Sequence, residues 1–142
     1  MKTLALRGGD LVVGPAGHQT ITGTPKIRQD LALALGEPYG NDRFHPTWGS
    51  VLPNYVGTPL TPDLEMMVRA EVARVIAQYI AIQQDEVVAD SLGGVRSRYT
   101  TDDVISQVTA ITATVNADTI RVAVSLTTRS QQQVTLTRTV SI

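Results

Sequence analysis

The chain has 142 residues, enough for one domain with one modest core, and its 12 basic and 13 acidic side chains leave a formal charge of -1. That balance supplies no cationic field to collect nucleic acid or an anionic membrane, and the absence of cysteine excludes disulfides and thiolate metal sites. No apolar run approaches the roughly 20 residues that cross a bilayer, and the Leu4 to Leu6 run before Arg7 is too short for the core of a secretory leader, so a soluble protein is expected.

In chain order, Leu11 to Val13 and Gln19 to Thr22 flank Gly14, Pro15, Ala16 and Gly17, which predicts a small hairpin within an N-terminal arm, residues 1–24. Thr24 and Pro25 then offer an N-cap and a first helical position. Ile27, Leu31, Ala34 and Leu35 follow at helical spacing until Gly36. The passage from Gly36 to Pro62 carries Pro38, Gly40, Pro46, Gly49, Pro53, Gly57 and Pro59, which argues against regular structure. It also holds Tyr39, Phe44, Trp48 and Tyr55, and large aromatic side chains packed on the helices are expected to pin an ordered loop. Loops of that length in compact domains are usually functional, so Glu37 and these four aromatics form the candidate docking surface.

Thr61 and Pro62 repeat the helix start signal, and Leu64, Val68, Val72, Val75, Tyr79 and Ile82 continue as a stripe widened by Met67, Ile76 and Ile80. A helix from Pro62 to Gln83 would be about 30 Å long. Residues 25–92 thus read as a helical docking core. Asp90 to Tyr99, with Gly93, Gly94, Arg96 and Arg98, reads as an exposed linker, and Thr101 to Asp103 as the start of one helical turn carrying Val104, Ile105 and Val108. From Val108 the pattern is strand-like. Ile111, Ala113 and Val115 alternate with threonines, Asn116 to Asp118 make a turn, and Ile120, Val122, Val124 and Leu126 alternate strictly with polar or small residues. A second turn at Thr128 to Gln133 precedes Val134, Leu136, Val140 and Ile142, with Arg138 breaking the apolar phase. The fold class is therefore α+β: two main helices and an aromatic loop packed with a small antiparallel sheet over residues 101–142.

The last strand has no later element in this sequence to cover its edge, and an uncovered edge is either protected or used. Main-chain hydrogen bonds to a strand of another chain would use it. A proline at Leu136 is expected to kink that strand while leaving the helical core folded. Arg121, Arg129 and Arg138, with no acid between Thr119 and Ile142, are either solvated strand residues or face an acidic partner.

The stretch GTPKIRQDLALALG (Gly23 to Gly36), the loop EPYGNDRFHPTWGSVL (Glu37 to Leu52), the long helix and the terminal hairpin, in that order, resemble the sheath-initiator or small baseplate wedge family of contractile phage tails and contractile injection systems. Family members often carry an acid-proline-arginine sequence at the end of the long helix, where this chain has Gln84, Asp85, Glu86 and Val87; Arg96 or Arg98 could stand in. The resemblance implies a structural protein of the virion tail baseplate, or of a nonviral injection apparatus. It would sit in six copies per ring around the end of the tail tube or hub. It would bind larger wedge subunits through the docking loop and join the tail sheath protein through a terminal strand comprising Val134, Leu136, Arg138, Val140 and Ile142.

An old lysozyme-like label in that family calls for an audit of the carboxylates, since a glycosidase needs two of them roughly 5 to 9 Å apart with one held protonated. Asp30, Glu37 and Asp42 are the candidates. Glu37 reads instead as an acceptor for loop amides or a partner of Arg43. His18 and His45 stand in different loops without neighbours at ligand spacing, and no nucleophile elbow or phosphate-binding glycine loop is present. No catalytic residue, metal or cofactor is expected. A peptidoglycan-degrading enzyme and a generic binding module with a self-protected last strand are the competing readings.

Overall fold

A computed structural model describes residues 1–141, so the expectation for Ile142 lies outside the described residues. Six two-residue strands come first: β1 (Thr3–Leu4), β2 (Leu6–Arg7), β3 (Asp10–Leu11), β4 (Val13–Gly14), β5 (Gly17–His18) and β6 (Thr20–Ile21). They pair antiparallel as β1 with β6, β2 with β3 and β4 with β5. The expected single hairpin is therefore replaced by a three-pronged arm. Its centre is a ring of hydrogen bonds in which the Ala5 N–H donates to Gln19 O (2.8 Å), Gln19 N–H to Val12 O (2.9 Å) and Val12 N–H to Ala5 O (2.9 Å). Prongs this short cannot sustain a sheet, and closing the ring satisfies the backbone groups that two-residue ladders leave over. Gln29 ties the arm to the next helix by accepting from Leu6 N–H and donating to Leu4 O.

Helix α1 (Gly23–Gly36) buries Ile27, Leu31, Ala34 and Leu35, the expected stripe. It begins two residues earlier than the Thr24 and Pro25 signal indicates, after Thr22, and the Gly23 N–H is received by Asp103 Oδ1 at 2.5 Å. Within the Gly36 to Pro62 passage one helical turn, α2 (Leu52–Tyr55), docks through the buried Leu52. Helix α3 (Leu64–Leu92) spans 29 residues, about 44 Å, and ends nine residues beyond the expected Gln83.

The α3 stripe also departs from expectation at its middle. Met67 and Ile82 are exposed, and Gln83 is fully buried in Ile82's place, because four residues after Tyr79 the helix returns to the same face. Gln83 is satisfied like a strand residue: its Nε2 donates to Asp103 O at 2.7 Å and its Oε1 accepts from Ile105 N–H at 3.2 Å. The segment after α3 is also no free linker. Gly93 caps the helix by donating to Ala89 O, and Arg98 returns to Asp90 through its backbone N–H and its Nε.

The chain then forms β7 (Ile105–Val115), β8 (Thr119–Thr128) and β9 (Gln133–Ser141), an antiparallel sheet in the order β7-β8-β9. The helical turn expected from Thr101 to Asp103 is a hydrogen-bonded turn instead, closed by the Asp103 N–H on Thr100 O, and Ile105 and Val108 already lie in β7. Both predicted turns fall where expected, between β7 and β8 and between β8 and β9. Strand β8 lies in the centre, and its Ile120, Val122, Val124 and Leu126 meet Ile27, Leu31 and Leu35 of α1 and Val68, Val72 and Ile76 of α3 in one core. Helices thus cover one face of a sheet whose other face is polar.

Asp103 joins the three parts of the fold. It is fully buried, and beyond Gly23 it accepts from the Thr100 N–H (3.0 Å), the Thr100 hydroxyl (2.9 Å) and the Met1 ammonium (2.7 Å). Burial disfavours its charge, but these donors outweigh that penalty and hold its carboxyl at about 2, against an ordinary 3.8.

Candidate docking loop and sheet edge

The loop after α1 is ordered, and it is held by a polar network in addition to the expected aromatic packing, to which Trp48 and Tyr55 contribute and the exposed Phe44 and Tyr39 do not. Pro38 and Ser50 form a parallel bridge, with Tyr39 N–H donating to Ser50 O (2.9 Å) and Ser50 N–H to Glu37 O (2.8 Å). The buried Ser50 hydroxyl donates to Leu35 O at 2.7 Å, satisfying a carbonyl at the end of α1. Gly49 has φ +96, and a Cβ there would stand 2.6 Å from Glu37 O and 2.8 Å from Pro38 O, so only glycine fits this crossing.

A polar stripe on α3 clamps the loop from the other side. Glu71 Oε1 accepts from Val51 N–H, Arg74 donates to Gly49 O at 2.9 Å while pairing with Glu71 at 2.8 Å, and Gln78 donates to Thr47 O at 3.0 Å. Burial raises the Glu71 carboxyl, but the Arg74 guanidinium and the Val51 amide more than offset it, so its pKa is lowered overall. The sequence shows Glu71, Arg74 and Gln78 at helical spacing on one face. That periodicity was the available signal for the clamp.

The five loop candidates therefore divide. Glu37, Phe44 and Trp48 come together around a depression of about 590 Å³ shared with Leu33, Asn41, Asp42 and Arg43. Phe44 is 88% exposed and bears no structural load, whereas Trp48 is half-buried against the core. Tyr39 lies elsewhere, its ring 5.1 Å from the Arg74 guanidinium carbon, and Tyr55 packs on the core from α2. Glu37 accepts from Asn41 Nδ2 at 2.7 Å; among the described residues it forms no ion pair with Arg43.

The other two carboxylates are engaged. Asp42 accepts from the His45 ring (2.9 Å) and from Phe44 N–H (2.8 Å), and these bonds, the His45 one foremost, hold its carboxyl below the usual range. A general acid needs the reverse. Asp30 receives Lys26 Nζ at 2.5 Å and the Tyr79 hydroxyl at 2.8 Å, an arrangement that fastens α1 to α3 with the Lys26 ammonium almost wholly buried. Burial, reinforced by Asp30, pushes the Tyr79 hydroxyl well above its ordinary pKa. His18 sits in β5, apart from His45, and among the described residues no cluster of three or more His, Asp or Glu side chains is placed to hold a metal ion. Among the described residues no helix is long and apolar enough to cross a membrane.

At the sheet, Val134 and Leu136 are buried, Val140 is half-buried and Arg138 is exposed. The break in apolar phase has a steric reason. Arg138 lies over Gly36, where a Cβ would come within 2.6 Å of its Nη2, so the glycine that ends α1 leaves room for the guanidinium.

The register fixes which backbone groups are left over. Thr128 N–H donates to Gln132 O, which makes 128 and 132 a hydrogen-bonded pair and, by alternation, assigns Val134, Leu136, Arg138 and Val140 to the ladder with β8. Gln133, Thr135, Thr137, Thr139 and Ser141 then point their backbone groups outward, and among the described residues none of these groups has a protein partner. β7, the opposite edge, is interrupted by two register shifts in its first six residues, a device that blunts pairing, whereas β9 runs in unbroken register. The sequence pattern points to the edge through Val134, Leu136, Arg138 and Val140, but the outward backbone groups belong to the residues between them.

No protein-family model and no curated protein sequence matches the chain. Among solved structures, one from Geobacter sulfurreducens, provisionally described as a tail lysozyme, shares 12% identity with this chain over 94% of it and 96% of the other, with a TM-score of 0.59. At that identity the likeness is one of fold, shared with a protein described by reference to a tail.

Proposed function

We propose that this protein is a structural subunit of a contractile tail baseplate, phage or nonviral. In this reading six copies surround the end of the tail tube or hub, bind larger wedge subunits through the loop around Phe44 and Trp48, and start the sheath through β9. The observation that carries the proposal is the β9 edge: nine residues in regular register, with an unpartnered row of outward backbone groups beside a bulged and blunted opposite edge. Such an edge recruits an extended segment by main-chain hydrogen bonding. The fold shared with a protein described as belonging to a tail supports the setting, and the order of motifs from Gly23 to Leu52 supports the family. A peptidoglycan hydrolase draws less support, since Asp30 and Asp42 are committed to structural partners and Asp42 is pushed toward the ionised form.

The test is Thr137→Pro. Residue 137 does not donate to β8, so proline there removes an outward N–H and leaves the protein's own ladder intact. Electron microscopy of particles assembled with this variant should show baseplates on bare tubes, with the helix content of the purified protein unchanged by circular dichroism. Normal sheath would overturn the proposal. Clearing of cell-wall suspensions by the purified protein, abolished by Glu37→Gln, would replace it with the enzymatic reading.

A further inference from the structure

A groove of about 720 Å³ runs beside β9, bounded by the N-terminal arm, α1 and the strand itself. Ala5, Ile21, Ala32 and Leu136 give it an apolar lining, and its charged groups are Arg28 of α1 and Arg138 of β9. No carboxylate lines it, and among the described residues neither arginine is paired with an acid. Arg138 keeps the phase of Val134 and Leu136, so it lies on the helix-covered side of the sheet, over Gly36. A fourth strand on β9 would alternate side chains between the two faces and direct every second one to this side. Small apolar side chains suit the lining, but two unpaired guanidinium groups suit an anion.

We infer that the strand received by β9 is an acidic one, carrying an aspartate or glutamate among groove-facing small apolar residues, and that Arg28 and Arg138 select it. The inference rests on the reading of β9 as a recruiting edge. Arginine presents a planar fork of donors that matches a carboxylate, and the two guanidinium groups line the same groove from α1 and from β9. A lysine at the same strand position would face two like charges, so the pair sets specificity as well as affinity.

The experiment appends a strand as long as β9 to the full chain through a short Asn-Gly turn, so that pairing is intramolecular and does not depend on the affinity of a free peptide. Three versions differ at one groove-facing position, with Glu, Gln or Lys. Hydrogen exchange of the outward amides Thr135, Thr137 and Thr139 reads strand addition. Each version is also made with R28Q and with R138Q, and only the difference between the Glu and Gln versions is compared, so that any general change in stability cancels. The Glu version is expected to protect those amides about fivefold more than the Gln version, the size of a well-placed ion pair, and the Lys version less than either. Each arginine replacement should shrink the Glu advantage. Equal protection by all three versions would overturn the acidic preference and leave the recruiting edge standing. Protection by none would overturn the edge itself and the preference with it.

Discussion

Replacing Asp103 by asparagine should remove the joint between the arm, α1 and the sheet while keeping the shape of the side chain. In the native protein its two oxygens receive the Gly23 amide, the Thr100 amide and hydroxyl, and the Met1 ammonium, all with the carboxyl fully buried. Asparagine can still accept at one oxygen, but its amide nitrogen would meet the Thr100 and Met1 donors with a donor of its own. The depression of the carboxyl from 3.8 to about 2 corresponds to about 2 kcal/mol of stability at neutral pH. Orphaned donors add about 1 kcal/mol, for a total near 3 kcal/mol and a Tm lowered by roughly 10 °C. Because the native carboxyl titrates below the unfolded one, its contribution is complete above about pH 4 and is lost as pH falls through about 2. Urea unfolding of the native and Asp103→Asn proteins between pH 7 and pH 2 measures both effects. The two midpoints should lie far apart at pH 7 and converge in acid. A constant gap, or none at pH 7, would refute the assignment of Asp103 as the ionised centre of the joint.

Gly49→Ala should cost more than about 2 kcal/mol, because the new methyl meets backbone oxygens that cannot move aside and φ there is positive; Trp48 fluorescence during urea unfolding would report early release of the loop. Gln83→Leu keeps the volume but orphans Asp103 O and the Ile105 amide, a loss of about 2 to 4 kcal/mol, and a change below about 0.5 kcal/mol would contradict the bridging role. Phe44→Ser should leave stability within about 0.5 kcal/mol, given the exposure of that ring, yet weaken recovery of wedge partners with the baseplate; unimpaired recovery would exclude Phe44 from the docking surface. Leu136→Pro, in contrast to Thr137→Pro, strikes a donor used by Val124 and a buried side chain, so it should unfold the sheet, correcting the expectation that it spares the core; a native melting curve would contradict the register.

Local chemistry determined a good part of this protein. The stripe of Ile27, Leu31, Ala34 and Leu35, the alternation along β8 and the turns at Asn116 to Asp118 and Thr128 to Gln133 follow from side-chain period and turn residues, which act over a few neighbours whatever the rest of the chain does. That reach also set β9 at an edge, because two tight turns leave three consecutive strands in sequential order. Tertiary structure decided what those neighbours cannot know. Gln83 and Asp103 read as surface residues by type and are buried because distant backbone groups need their hydrogen bonds. Arg138 interrupts an apolar phase because Gly36, roughly a hundred residues earlier, leaves a space for it. The loop is clamped by Glu71 and Arg74 as well as by Trp48 and Tyr55, since its exposed position gives Phe44 and Tyr39 little apolar surface to pack on. The two-arginine groove beside β9 arises only when the arm, α1 and the sheet meet, because each contributes one wall and none carries the site alone.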